Sequence, residues 1–193
     1  MMFRTLPLAV LAACLVLPSP AAAQLTDKEV EQAISGAGKL KLRSVCVGAT
    51  TPGQFDICIQ GPVQRIATAV TAAKLAHRSL RADAVTDDMK APTWMIFAIP
   101  TTPTLVAGHF VRLSADKVQL RQVGAIEFIN PLASTKTKYA WDNPVGTKLT
   151  AQGVTATFDA RNLPPGDLDV VVTGEDGSEH AYTLVAPARE QIH

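Results

Sequence analysis

Few residues in this 193-residue chain have types and spacings that could do chemistry. The histidines stand at 77, 109, 180 and 193, and the cysteines at 14, 46 and 58. His77 lies in an alanine-rich run and His109 opens a short apolar stretch. Brought together by a fold, they could act as a base and its partner in a small hydrolase. No serine sits in a Gly-x-Ser-x-Gly elbow. No His-x-x-x-His or Cys-x-x-Cys spacing offers a zinc site, so no metal or other cofactor is expected. Glu175, Asp176 and Glu179 cluster where a hairpin turn is expected, but the rest of a calcium loop is missing. They read as a solvated acidic turn. Gly36-Ala37-Gly38-Lys39 does not make a phosphate loop, which needs a preceding strand, wider glycine spacing and Ser or Thr after the lysine. The most suggestive stretch is 134–141. It sets Lys136 and Lys138 beside Tyr139 and Trp141, just before Asn143-Pro144 and Gly146. Read as a loop, its plainer reading is that the two rings cap the core and the lysines are solvated, and its second reading is a binding edge for a glycan or a protein partner.

The chain's address is read from its start. Arg4 precedes an apolar run over 6–17, Pro18-Ser19-Pro20 breaks it, and Ala21-Ala22-Ala23 offers small residues before Gln24. That order of parts predicts a signal peptide over 1–23, cleaved after Ala23 into the periplasm or the exterior. Leu11-Ala12-Ala13-Cys14 also has the form of a lipoprotein box, which makes a lipid anchor on Cys14 the minor alternative. Cleavage after Ala23 leaves Cys46 and Cys58, read as one disulfide in an exported chain. No later run is long enough for a membrane helix. The net charge is +1, without the basic excess of a nucleic-acid binder. The charge is unevenly spread, with eight basic against four acidic residues over 24–82, and nine against thirteen over 83–193. Mutual attraction of the two parts is the simpler reading of that asymmetry, ahead of a basic face for an anionic partner.

These residues must be positioned by a small set of elements. Thr26 and Glu29 have capping-box spacing, Leu25 and Val30 staple spacing, and Val30, Ala33 and Ile34 an apolar stripe, so a first helix is expected from Thr26 to the glycines at 36 and 38. Cys46 and Cys58 lie symmetrically about Pro52. A hairpin with those two opposed also opposes Val47 to Ile57, Val45 to Ile59 and Ala49 to Phe55 on one face. The disulfide then shares the other face with Ser44 and Gln60, and the parity of residues 40–43 calls for a bulge near Ser44. Gly61-Pro62 opens a second helix with a stripe of Ile66, Val70, Ala73, His77 and Leu80, and a polar edge that includes Arg65. Residues 83–92 read as a polar linker.

From Thr93 the pattern changes. Residues 94–99 form a continuous apolar run, expected to be a strand buried on both faces. Short strands are expected near 110–113, 118–121, 125–129, 147–149, 154–158, 168–173 and 179–184, the last two joined by the turn at Asp176-Gly177. Phe158, then Leu163-Pro164-Pro165-Gly166, then Leu168-x-Val170-x-Val172, then Gly177, resembles the last strands of immunoglobulin-like and transthyretin-like sandwich modules of exported bacterial proteins. The likeness covers 154–184 and implies a fold without an activity.

The expected class is α+β: a helix–hairpin–helix unit over 24–82 with one disulfide, a linker over 83–92, an antiparallel β-sandwich over 93–186 and a frayed tail over 187–193. The expected role is a non-catalytic exported scaffold or binding protein whose partner is a protein or glycan of the cell envelope. The alternative is a small exported hydrolase, or ligand-binding enzyme, with its site between the two halves near His77 and His109.

Overall fold

The computed structural model describes residues 24–37, 44–48, 54–106, 109–111, 113–142, 146 and 148–192, with only the backbone of Thr104, Val106, His109 and Val111. The expected signal peptide, Cys14, the residues 40–43 whose parity called for a bulge, and Ala49 lie outside the described residues. The fold holds both helices and antiparallel sheets, as an α+β class requires.

Helix α1 spans Asp27–Gly36. Its capping box forms as the spacing predicts: Thr26 N–H donates to Glu29 Oε2 at 2.8 Å, and Glu29 N–H donates to Thr26 Oγ1 at 3.4 Å. The bond from the Thr26 backbone, with a second from its hydroxyl, holds the Glu29 carboxyl below its ordinary pKa. Helix α2 spans Pro62–Leu75, with Pro62 in its first turn. Val30 and Ala33 of α1 pack against Ile66 and Val70 of α2, with Leu25, Val63 and Leu80 at the margin.

Helix α2 ends five residues before the expected end of its stripe. His77 adopts φ +53°, its N–H donates to the Lys74 carbonyl at 3.0 Å, and Arg78 N–H donates to the Ala73 carbonyl at 2.8 Å. These are the two bonds of a Schellman cap, with histidine in the left-handed position that glycine usually takes. His77 is therefore exposed at the helix end and off the apolar stripe. Leu80 reaches the helical cluster because the chain has turned back.

Strand β1, Val45–Gly48, pairs with β2, Phe55–Gln60, in the register expected: Val45 opposite Ile59, Cys46 opposite Cys58, Val47 opposite Ile57. Cys46 and Cys58 form a disulfide, and Gln60 Nε2 donates to Ser44 Oγ at 2.8 Å on the same face. The linker over 83–92 holds a turn of 3-10 helix (Ala82–Ala84) and the short helix α3, Asp87–Lys90. It does not separate the hairpin from the strands that follow. Strand β2 pairs along its whole length with β3, Thr93–Pro100, so the linker parts the helices, and not the strands, from the rest of the chain.

After β3 the strands are β4 (Thr104–Val106), β5 (His109–Val111), β6 (Ala115–Gln122), β7 (Ala133–Asp142), β8 (Lys148–Asp159), β9 (Leu168–Gly174) and β10 (Glu179–Leu184). They make a five-stranded sheet in the order β1-β2-β3-β8-β7, a three-stranded sheet β10-β9-β6 and a separate β4-β5 hairpin. The two larger sheets share one core: Phe55, Ile57, Trp94, Ile96 and Phe158 from the first meet Leu120, Val170, Val172 and Leu184 from the second. Tyr182 ties them at one side by accepting the Phe55 N–H at 2.9 Å, and Gln152 ties them at the other by donating through Nε2 to the Ala115 carbonyl at 3.0 Å.

Four expectations for strands and tail change. Residues 94–99 are buried on alternate positions and not on both faces: Trp94, Ile96 and Ala98 face the core, while Met95, Phe97 and Ile99 are half-buried on the outer face. Residues 125–129 make a single bridge, Ile129 to Leu120, in place of a strand. Residues 148–149 and 154–158 merge into the long β8. The tail is docked and not frayed. It forms helix α4, Ala186–Arg189, and Ile192 is buried in the main core because buried Gln64 donates through Nε2 to the Gln191 carbonyl at 2.6 Å.

Candidate functional site

The stretch carrying Lys136, Lys138, Tyr139 and Trp141 is not a loop. It is β7, ten residues long and the edge of the five-stranded sheet. Its sequence, Ala-Ser-Thr-Lys-Thr-Lys-Tyr-Ala-Trp-Asp, alternates with a period of two: Thr135, Thr137, Tyr139 and Trp141 on one side, Ser134, Lys136, Lys138 and Ala140 on the other. The β-branched and aromatic residues were the strand signal, and the lysines masked it, as edge-strand lysines do.

That alternation separates the four candidate residues. Lys136 is opposite Val154 and Lys138 opposite Gln152, so both lysines share the face that turns toward β6. Lys136 Nζ lies 2.7 Å from Asp116 Oδ1 of β6, and both side chains are about half exposed. The hydrogen bond from Lys136, then its charge, hold the Asp116 carboxyl below its ordinary pKa. Lys138 has no ion pair among the described residues.

Tyr139 and Trp141 point to the opposite, outer face. Their rings lie 6.3 Å apart at 22°, and both residues are half-buried. The Tyr139 ring rests over Gly153 of β8, where an added Cβ would come within 2.6 Å of the ring and 2.7 Å of the Ala98 carbonyl. Glycine at 153 thus lets the ring lie down on the sheet.

Among the described atoms the other candidates form no reactive set. His77 is exposed at the end of α2, and His109 belongs to the β4-β5 hairpin, with its side chain outside the described atoms. One serine–histidine–carboxylate grouping exists in the β9-β10 turn. Ser178 Oγ is 3.1 Å from His180 Nε2 and donates to Asp176 Oδ1 at 2.6 Å. A nucleophile set needs the histidine to take the hydroxyl proton and the carboxylate to orient the histidine. Here the carboxylate accepts the hydroxyl's hydrogen bond, and its hydrogen bonds with Ser178 hold it below the ordinary carboxylate range, a weak base. His180 meets Phe55 edge-on at 5.6 Å, which places it as a packing residue.

A cleft of about 170 Å³ lies beside that turn, lined by Leu113, Ser114, Glu175 and Asp176. Its polar atoms are engaged: Ser114 Oγ accepts the Gln152 N–H at 3.1 Å, and Glu175 Oε1 accepts from Gln152 Nε2 at 3.3 Å. The described residues hold no group of three His, Cys, Asp or Glu able to bind a metal ion.

The sequence reading missed one charged residue of consequence. Arg65 was placed on a polar edge, yet it is 8% exposed. Its guanidinium donates to the carbonyls of Asp88, Met89, Ala91 and Thr93 and to the Thr93 hydroxyl, at 2.7 to 3.3 Å. Burial pushes its pKa down, and these carbonyls replace the water it has lost. Arg65 clamps α2 to the start of β3 and is structural. No one-dimensional signal distinguishes it from Lys74 or Arg78, because what buries it is the loop over 88–93.

No protein-family model matches this chain, and neither a curated protein nor a solved structure is similar to it.

Proposed function

We propose that this protein is a non-catalytic, exported binding module, a two-sheet sandwich that carries its working surface on β7. The observation that supports this most is the segregation along that one edge strand. Two lysines turn toward β6 and two stacked aromatic rings lie on the outer face, all of them at least partly open to solvent. The disulfide suits an oxidising compartment, and no helix among the described residues is long and apolar enough to cross a membrane. In the Ser178, His180 and Asp176 grouping the hydroxyl donates its hydrogen bond to the carboxylate, so the grouping offers no serine activated by its histidine.

The test is capture from the cell envelope by the purified mature protein, beside a variant carrying Lys136→Ala, Lys138→Ala and Trp141→Ala. The expected outcome is one saturable envelope component that the wild type retains and the variant loses. A component retained equally by both would move the working surface away from β7.

A further inference from the structure

The outer face of the five-stranded sheet is uncharged where β3, β8 and β7 lie side by side. The register places alternate residues of 95–99, 149–157 and 133–141 on it, and none of these is Asp, Glu, Lys or Arg. Lys136, Lys138 and Asp142 turn to the opposite face of β7, and Lys148 to the opposite face of β8. Asp159 closes the outer face at the end of β8, beyond β7, where it pairs with Arg161.

On this neutral face lie two kinds of group. One is apolar and flat: the stacked Tyr139 and Trp141 rings, flanked by Leu149, with Phe97 two strands away. The other is a set of threonine hydroxyls at 135, 137, 155 and 157, with Thr135 directly opposite Thr155. None of these four hydroxyls has a hydrogen-bond partner among the described residues, and all four residues are at least partly exposed.

We infer that this face is a platform for a neutral polysaccharide chain. The inference rests on the binding-module reading and names its ligand class. Pyranose rings offer a C–H face that packs on an aromatic ring, and rim hydroxyls that both donate and accept. A flat apolar partner would bury the four threonine hydroxyls unpaired. Each such loss costs on the order of 1–3 kcal/mol. A sugar chain supplies their partners. Among the described residues an anionic ligand finds no cation beside the rings and the threonines, since both lysines of β7 turn away and Arg161 at the end of β8 is paired with Asp159.

The two tryptophans make the test direct. Trp94 is 4% exposed in the core and Trp141 is half-buried on the platform. The mature protein is titrated with cellohexaose, xylohexaose and chitohexaose, and with dextran sulfate as the anionic probe, by calorimetry and by tryptophan emission. At least one neutral hexaose should bind saturably and shift the emission of the wild type. Trp141→Ala and Tyr139→Ala should each weaken that binding at least tenfold while unfolding at nearly the wild-type urea midpoint. Lys136→Ala with Lys138→Ala should leave it within twofold. Absence of binding to all three neutral sugars would overturn the inference, as would neutral-sugar binding indifferent to Trp141→Ala. Binding to dextran sulfate alone, lost with the two lysines, would also overturn it and would return the site to the other face of β7. An envelope protein captured through β7 without any neutral-sugar binding would remove the polysaccharide and keep the binding module. Loss of both readouts would remove both.

Discussion

Strands β3, β8 and β7 carry apolar side chains on both faces, and the two faces meet different fates. On the inner face Trp94, Ile96, Ala156 and Phe158 are no more than 4% exposed and meet the three-stranded sheet. On the outer face Met95, Phe97, Ile99 and Trp141 are half-buried and belong to neither hydrophobic cluster. Trp94 and Trp141 show the contrast in one residue type. The first packs in the core with Arg189 over its ring at 5.4 Å, and the second lies against a neighbouring ring near the sheet's edge. The difference teaches that apolar character along these strands marks a core only where a second layer arrives to cover it. Without one, the same character marks a surface available for use.

Substitutions can break or sharpen that contrast. The largest effect is expected for Phe158→Ala, a full cavity in the shared core, at about 3–5 kcal/mol of lost stability. Phe97→Ala on the outer face should cost only about 1 kcal/mol, since less area leaves water there on folding. Urea unfolding of both variants checks this, and equal losses would mean the two faces are equally covered in solution.

Arg65→Met comes next, at about 3 kcal/mol, because the carbonyls of residues 88, 89, 91 and 93 lose their donor at a buried site. Amide exchange should rise first in α2 and α3, the elements that Arg65 holds to the start of β3. A uniform rise across all strands would show that the clamp supports the whole core and not the helices alone. Replacing Cys46 and Cys58 together by serine should cost about 2–3 kcal/mol, chiefly through the less restricted unfolded chain. The smallest effect is a gain. His77→Gly relieves a left-handed backbone at φ +53° and should raise stability by about 0.5–1 kcal/mol without altering any surface on β7.

Local structure was legible wherever the physics was local. The capping box at Thr26 and Glu29, the proline start of α2, the opposition of Cys46 to Cys58 and the β9-β10 turn at Asp176-Gly177 all follow from short spacings, and each formed as read. The candidate residues of 134–141 were found by type, but their geometry was misread. An edge strand with lysines at alternate positions resembles a polar loop until its partner strand is known. His77 was misread for a related reason. A four- and three-residue spacing continued past Leu75 on paper, while the backbone had already turned into a cap.

By itself the sequence determined the α+β class, the disulfide, most strand positions and the absence of any local catalytic motif, because these depend on neighbours within a dozen residues. Only the tertiary structure decided that β2 joins β3 across the linker, that Arg65 and Ile192 are buried, and that the rings and lysines of β7 face opposite ways. Those outcomes depend on which distant segment lies alongside. A strand such as β3, apolar at every position from Trp94 to Ile99, gives no preference between its two faces until the second sheet packs on one of them.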